Sequence, residues 1–184
     1  MALTLIKEDG TGKPDANAYA DVADGDAYHE GHLYAAAWTA ADAGRKAAAL
    51  VMATRLVDAE FQFNGFKRSP SQALQWPRFD CPDPDANASA LVGLLWRASN
   101  FVPSDSVPKG VVDATCEMAR ELQVADRTAA PPGEGLKYQN IGTTQTGYDK
   151  SDRRPVITRV VQAMLSKYGS LVDGGSGVVR LVRA

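Results

Sequence analysis

The chain has 184 residues, 45% of them hydrophobic, and a net charge of −2. This length is enough for one domain with a buried core, and the hydrophobic fraction is ordinary for a globular protein. No apolar run approaches the roughly 20 residues of a membrane-spanning helix, and the N-terminus lacks the basic and apolar regions of a signal peptide. We therefore expect a globular protein that is made and used without secretion.

The residue types give little support to catalysis or metal binding. The chain contains two His and two Cys. Cys81 and Cys116 do not form a CxxC pair, and His29 and His32 occur in H-E-G-H rather than in the H-E-x-x-H of a zinc protease. No nucleophile, base and acid can be assembled at these spacings. We expect no enzyme activity, no cofactor and no metal.

Residues 1–18 are predicted to be an arm that leads into the first helix, with a turn at Asp9–Gly12. Glycines followed by Lys13 suggest a phosphate-binding loop. The spacing lacks GxxxxGK[ST], however, and no helix opens directly after it. We expect no phosphate site here.

Two helices are predicted next. The first begins near Asp21, an acceptable N-cap, and runs to about Ala37. The second covers about residues 42–60 and has the clearest helical periodicity in the chain. Its apolar stripe, at i, i+3, i+4 and i+7 spacing, comprises Ala47, Leu50, Val51, Thr54, Val57 and Phe61.

The stretch Gln72–Arg78 separates this helical part from a looser, Pro-rich part. Pro77 fixes its own φ and disfavours helix at Trp76. Trp76 is either a core anchor or, with Arg78, part of a contact with a partner subunit, since Trp and Arg are enriched at interface centres. Just before this stretch, Lys67 and Arg68 follow three Phe residues. That pattern indicates either single-stranded nucleic acid binding by stacking or a buried aromatic cluster beside a solvated turn.

The second half is predicted to alternate loops and helices. A Pro-rich insertion over residues 79–107 precedes a third helix over about 108–127. The segment 129–135 is a boundary, and 136–148 is predicted to be a strand or hairpin. A fourth helix over about 155–168 precedes a glycine-rich stop and a short apolar, basic tail. The buried positions predicted are Val111, Thr115, Met118, Ala119 and Leu122 in the third helix and Val156, Val160, Met164, Leu165 and Tyr168 in the fourth.

Charge is distributed unevenly. Residues 1–60 carry five Lys or Arg against ten Asp or Glu, whereas residues 150–184 carry seven against two. An acidic front and a basic tail suit contact between copies or with another protein. The predicted contact residues are Trp76, Arg78, Arg153, Arg154, Arg180, Leu181, Val182 and Arg183.

Together these patterns predict a mainly α fold: a small four-helix-type bundle with an extended loop or β arm and a flexible C-terminal tail. The predicted division is a helical body over 1–128 and an arm, C-terminal helix and tail over 129–184.

The order of these elements resembles a family of tailed-phage proteins. The resemblance rests on Tyr19–Val22 with Ala27-Tyr28, Trp38, Lys46–Asp58, Phe63–Gly65, Gln72–Arg78, and Val107-Pro108 leading into Ala114 and Glu117–Ala119. Members are described either as head–tail connector (adaptor) proteins or as DnaT-like single-stranded-DNA-binding proteins.

The connector description implies a structural virion protein. Such a protein forms a ring, commonly of twelve copies, beneath the portal protein, and joins the head to neck and tail-completion proteins. Genomic double-stranded DNA passes through its lumen without sequence-specific binding. The protein would lie at the neck of the virion, and in the host cytoplasm during assembly. The alternative is a phage replication protein that binds single-stranded DNA.

Overall fold

A computed structural model describes residues 3–86, 100–129, 138–142, 144–147 and 155–172. Within these residues the chain forms five helices and three two-stranded antiparallel sheets. The sheets pair β1 with β6, β2 with β3, and β4 with β5. The elements in chain order are α1 (Val22–Glu30), α2 (Ala36–Thr39), α3 (Ala43–Glu60), β1 (Phe61–Phe63), β2 (Phe66–Lys67), β3 (Arg78–Phe79), α4 (Lys109–Val124), β4 (Tyr138–Ile141), β5 (Thr144–Gly147), α5 (Arg159–Leu165) and β6 (Gly169–Leu171).

The core lies between α3 and α4, the two longest described helices, which pack against each other. Asp42 caps α3 by accepting a backbone N–H from its first turn, which confirms the predicted start of the second helix. Leu50 and Val57 of α3 and Val111 and Met118 of α4 are fully buried. Each such side chain contributes about 1.5–3 kcal/mol relative to an exposed one.

The first predicted helix is correct at its start and wrong at its end. Asp21 and Asp24 form a reciprocal capping box that fixes the start. The helix stops before Gly31, a poor helix former. A turn follows, in which the Nδ1 of His32 accepts the backbone N–H of Tyr34 at 3.0 Å. The four-residue α2 comes after this turn, so one predicted helix is two short ones.

The fourth predicted helix is shorter than expected, and only part of its predicted buried face is correct. It begins after Thr158, whose hydroxyl accepts the backbone N–H of Val161. This cap excludes the residues from 155 to 158 from the helix. Val160 is 54% exposed. The predicted Leu165 is buried, together with Ile157 and Val161, and the predicted Met164 and Tyr168 are partly buried against the core.

The predicted glycine-rich stop contains a strand. Gly169 pairs with Phe63, and Leu171 pairs with Phe61. A Cβ at Gly169 would lie 2.2 Å from the carbonyl oxygen of Gln62, so the close pairing of β6 with β1 needs glycine at this position. Residues 155–172 therefore lie against the body through α5 on α4 and β6 on β1.

The predicted four-helix-type bundle is wrong. α3 and α4 have 18 and 16 residues, whereas α1, α2 and α5 have nine, four and seven. Short helices bury too little to form a bundle, and one of the small sheets pairs strands that are more than 100 residues apart. The predicted 136–148 arm contains the β4–β5 hairpin. The predicted flexible tail at 173–184 and the element at 88–99 lie outside the described residues, and the division at residue 128 stays a prediction.

Candidate functional site

Trp76, the first predicted contact residue, is a core residue of this chain. Its side chain has no exposed surface, and its ring lies edge-on to those of Phe63 and Tyr168, with centroids 5.6 and 5.9 Å away. Its peptide bond to Pro77 is cis. The indole therefore has no surface to offer a partner subunit, and the core-anchor alternative describes it.

Arg78, the second predicted contact residue, is also buried and acts as a clamp on its own chain. Its guanidinium donates to the carbonyl oxygens of Asn64, Gly65 and Gln75 at 2.8, 2.6 and 3.1 Å, and to the Gln75 side chain at 3.0 Å. Hydrogen bonds from an ionised donor are about twice as strong as neutral ones. Arg78 thus holds the Asn64-Gly65 turn against the segment before β3.

The same segment is fixed from the other side by Tyr19 and Asp58. The Tyr19 hydroxyl donates to the Asp58 carboxylate at 2.5 Å and accepts the backbone N–H groups of Gln75 and Trp76 at 3.0 and 3.2 Å. Burial raises the pKa of Asp58 to about 6, although the hydrogen bonds that its carboxylate accepts from Tyr19 and from the backbone N–H of Gln75 oppose the shift. Desolvation and the adjacent Asp58 raise the pKa of Tyr19. This arrangement is structural, because its polar atoms are used within the chain.

The candidate phosphate loop is occupied by the chain's own carboxylate. Glu8 is 1% exposed, and its two oxygens accept the backbone N–H groups of Gly10, Gly12 and Lys13 at 2.8 to 2.9 Å. Converging N–H groups of this kind form an anion-binding concavity. Because Glu8 fills it, the loop has a structural role, in agreement with the sequence prediction.

The β2–β3 ribbon presents two aromatic rings to solvent. Phe66 and Phe79 are directly paired across the ribbon, so both side chains emerge on one face. They are 70% and 45% exposed, which is unusual for phenylalanine. We call this pair the aromatic face. By contrast, Phe61 and Phe63 in β1 are 3% and 2% exposed.

The charges beside the aromatic face are of both signs. Lys67 is exposed and forms no ion pair with any described residue. The guanidinium of Arg68 donates hydrogen bonds to the carbonyl oxygens of Gly10 and Ser104, at 2.7 and 3.4 Å. Asp80 follows Phe79 and is exposed. The face can therefore stack on planar rings and contact one phosphate through Lys67, but it has no large positive charge.

The six other predicted contact residues, Arg153, Arg154, Arg180, Leu181, Val182 and Arg183, lie outside the described residues. Among the residues that the structure describes, no cluster of three or more His, Cys, Asp or Glu could hold a metal ion. The helices over the same residues are too short or too polar to cross a membrane.

Sequence reasoning left the aromatic face unresolved between a stacking site and a buried cluster. The structure divides the Phe residues between the two descriptions: Phe61 and Phe63 are buried, and Phe66 is exposed. The turn at Gly65, with φ of +75°, redirects the chain between them. In the sequence, the change from buried to exposed Phe residues is indicated by Gly65, which follows the apolar–polar–apolar alternation of Phe61–Phe63.

The described residues thus form a small body with two long helices and an exposed aromatic ribbon. A family model described as "Putative DnaT-like ssDNA binding protein" matches residues 3–184. Since this match covers nearly the whole chain, the protein belongs to that family. Comparison with curated proteins and with solved structures gave no match.

Proposed function

We propose that this protein binds single-stranded DNA through its aromatic face. The observation that carries the proposal is the pairing of Phe66 with Phe79 on the β2–β3 ribbon, with both rings exposed. The description of the family supports the same activity. Exposing two phenyl rings to water is unfavourable for the free chain, and stacked nucleobases that cover the rings would remove this cost.

The chemistry of the face determines the kind of recognition. Phenyl rings stack on any base, and they carry no donor or acceptor that distinguishes one base from another. Lys67 supplies one phosphate contact, and the negative charge of Asp80 repels other phosphates of the DNA. We expect binding with little sequence preference and with a log–log salt slope of about −0.7 for one neutralised phosphate.

The test is a titration of a fluorescein-labelled oligothymidine with wild type and with the Phe66→Ala/Phe79→Ala variant, followed by fluorescence anisotropy. Stacking contributes about 1–3 kcal/mol per base, so each ring that is lost should raise Kd by about 5- to 150-fold. Leu33→Ala is the matched control, because Leu33 is 92% exposed and lies outside the ribbon. Equal affinity of all three proteins, or no binding by the wild type, would overturn the proposal.

A second candidate function is the head–tail connector. The observation in its favour is that Arg68 and Arg78, two of the cations nearest the aromatic face, are committed to backbone carbonyls, in a chain with net charge −2. A surface that DNA slides past should not hold it through many cations. Such a chain would assemble with itself into a ring, of twelve copies as is common in the connector family that it resembles. The ring would also bind the portal and neck proteins.

Light scattering separates the two candidates. The purified protein is measured alone and after mixing with a purified portal ring. A ring-sized mass or stable capture by the portal supports the connector. A monomer that the portal ignores, but that binds the labelled oligothymidine, contradicts the connector and supports the first proposal.

A further inference from the structure

The outer side of α3 is apolar as well as its core side. Ala48 and Met52 lie one turn apart and opposite the buried positions Leu50 and Val57, and Leu56, one turn further on, is partly buried at the edge of the core. Met52 is 37% exposed. A shallow groove of about 460 Å³ runs here, lined by Leu3, Ala48, Val51, Met52, Arg55 and Leu56. We call this groove the α3 groove. A helix that is apolar on opposite sides is typical of one covered on both.

The chain itself leads towards this groove. β6 runs antiparallel to β1, which directly continues α3. The backbone N–H of Val172 donates to the carbonyl oxygen of Glu60, the last residue of α3, at 2.8 Å. The last described residue therefore lies at the C-terminal end of α3, and β6 runs along β1 towards that helix. Leu171 and Val172 are 40% and 50% exposed, so the described chain ends on the surface.

The remaining segment has the length and composition to cover the groove. Residues 173–177 have the sequence Asp-Gly-Gly-Ser-Gly, a composition typical of linkers. Five residues span up to about 16 Å when extended, and the helical rise from Glu60 back to Ala48 is about 18 Å. The next residues, 178–182, are Val-Val-Arg-Leu-Val. They supply apolar side chains within reach of the whole groove.

We propose that residues 178–182 of the same chain lie in the α3 groove. Alternation in an extended segment places Val179 and Leu181 on one side and Arg180 on the other. With Val179 and Leu181 against Met52, Arg180 points away from Arg55, which avoids a contact between like charges. The inference is independent of DNA binding, since the aromatic face takes no part in it.

Disulfide trapping tests the proposal in the full-length protein. Met52→Cys/Leu181→Cys is oxidised with oxidised glutathione, which takes up the two electrons released, and the product is resolved without reductant. The native Cys81 and Cys116 are buried, and burial raises the pKa of Cys116 to about 12, so both react slowly. The control pair is Val124→Cys/Leu181→Cys, because Val124 is 63% exposed but belongs to α4, on the other side of α3.

The expected result is a disulfide-bonded monomer for the first pair, formed at least tenfold faster than for the control. A disulfide-bonded dimer would mean that the groove receives a second copy, and equal rates for both pairs would mean that the tail does not dock. Either result overturns the proposal.

A second measurement does not depend on a new disulfide. Val179→Asp/Leu181→Asp should release the tail and make Met52 several-fold more reactive towards hydrogen peroxide, as read by mass spectrometry of peptides. Met118 is fully buried and should resist oxidation in both proteins, which shows that the fold is intact. An unchanged rate at Met52 overturns the proposal.

Discussion

The Tyr19 hydroxyl lies 2.5 Å from the carboxylate of Asp58, and it also accepts the backbone N–H groups of Gln75 and Trp76. One buried phenol therefore joins the segment before α1, the helix α3 and the loop before β3. Gln75 has a second acceptor in the other oxygen of Asp58, at 3.0 Å, whereas the described structure gives the Trp76 N–H only Tyr19.

Tyr19→Phe should destabilise the protein by about 2 kcal/mol, because the N–H of Trp76 and the Asp58 carboxylate lose a buried partner. The free energy of unfolding is measured by urea denaturation with tryptophan fluorescence. Tyr34→Phe is the control, since Tyr34 is 76% exposed, and it should change the value by less than about 0.5 kcal/mol. Equal effects of the two substitutions would show that the Tyr19 hydroxyl is dispensable.

Asp58 should make stability depend on pH between about 4 and 6. Its folded-state pKa of about 6 exceeds its ordinary value of 3.8, so the folded state binds the proton more tightly than the unfolded state. This contribution is fully present below pH 4 and is lost as pH rises through 6, and it amounts to at most about 3 kcal/mol.

Asp58→Asn isolates this contribution. Burial lowers the pKa of His29, and that shift acts in the opposite direction below pH 6.5, so the pH dependence of wild type alone is ambiguous. Urea denaturation at pH 4.5 and 7 is therefore compared for both proteins. The variant should lose less stability, or gain more, on going to pH 7 than wild type does. Identical changes would contradict the raised pKa.

Gly169→Ala should destabilise the protein by about 1–3 kcal/mol, since the new Cβ would lie 2.2 Å from the Gln62 carbonyl oxygen and force β6 away from β1. Gly147→Ala is the matched control, because that glycine is also in a strand but has no atom within 4 Å of the new Cβ. Thermal unfolding followed by circular dichroism compares them. A Tm for Gly169→Ala equal to that of the control would refute the close approach.

Local patterns in the sequence predicted what local energetics determine. The α3 stripe, the Asp21 cap and the start of α3 near Asp42 were predictable because periodicity and side-chain capping act within one or two turns. The β1–β6 pair was not, since its strands are more than 100 residues apart. The partners of Arg78 were not predictable either, because its hydrogen bonds to Asn64 and Gly65 depend on how the turn at these residues packs against β3. The exposure of Phe66 depends on how β2 pairs with β3, so the sequence alone did not determine whether this ring is buried.

Arg78→Lys should destabilise the protein by about 2–3 kcal/mol. The guanidinium donates four hydrogen bonds in a fixed plane to Asn64, Gly65 and Gln75, and an ammonium group cannot reproduce that geometry. Arg45→Lys is the control, because Arg45 is exposed on α3 and should tolerate the change within about 0.5 kcal/mol.

The same pair of variants distinguishes a clamp from a partner contact. If Arg78 is a clamp, Arg78→Lys lowers the free energy of unfolding of the isolated chain, measured by urea denaturation at a concentration where light scattering gives a monomer. If the variant is as stable as wild type but weaker in self-association or in binding to a portal ring, Arg78 belongs to a partner interface, as the sequence first indicated.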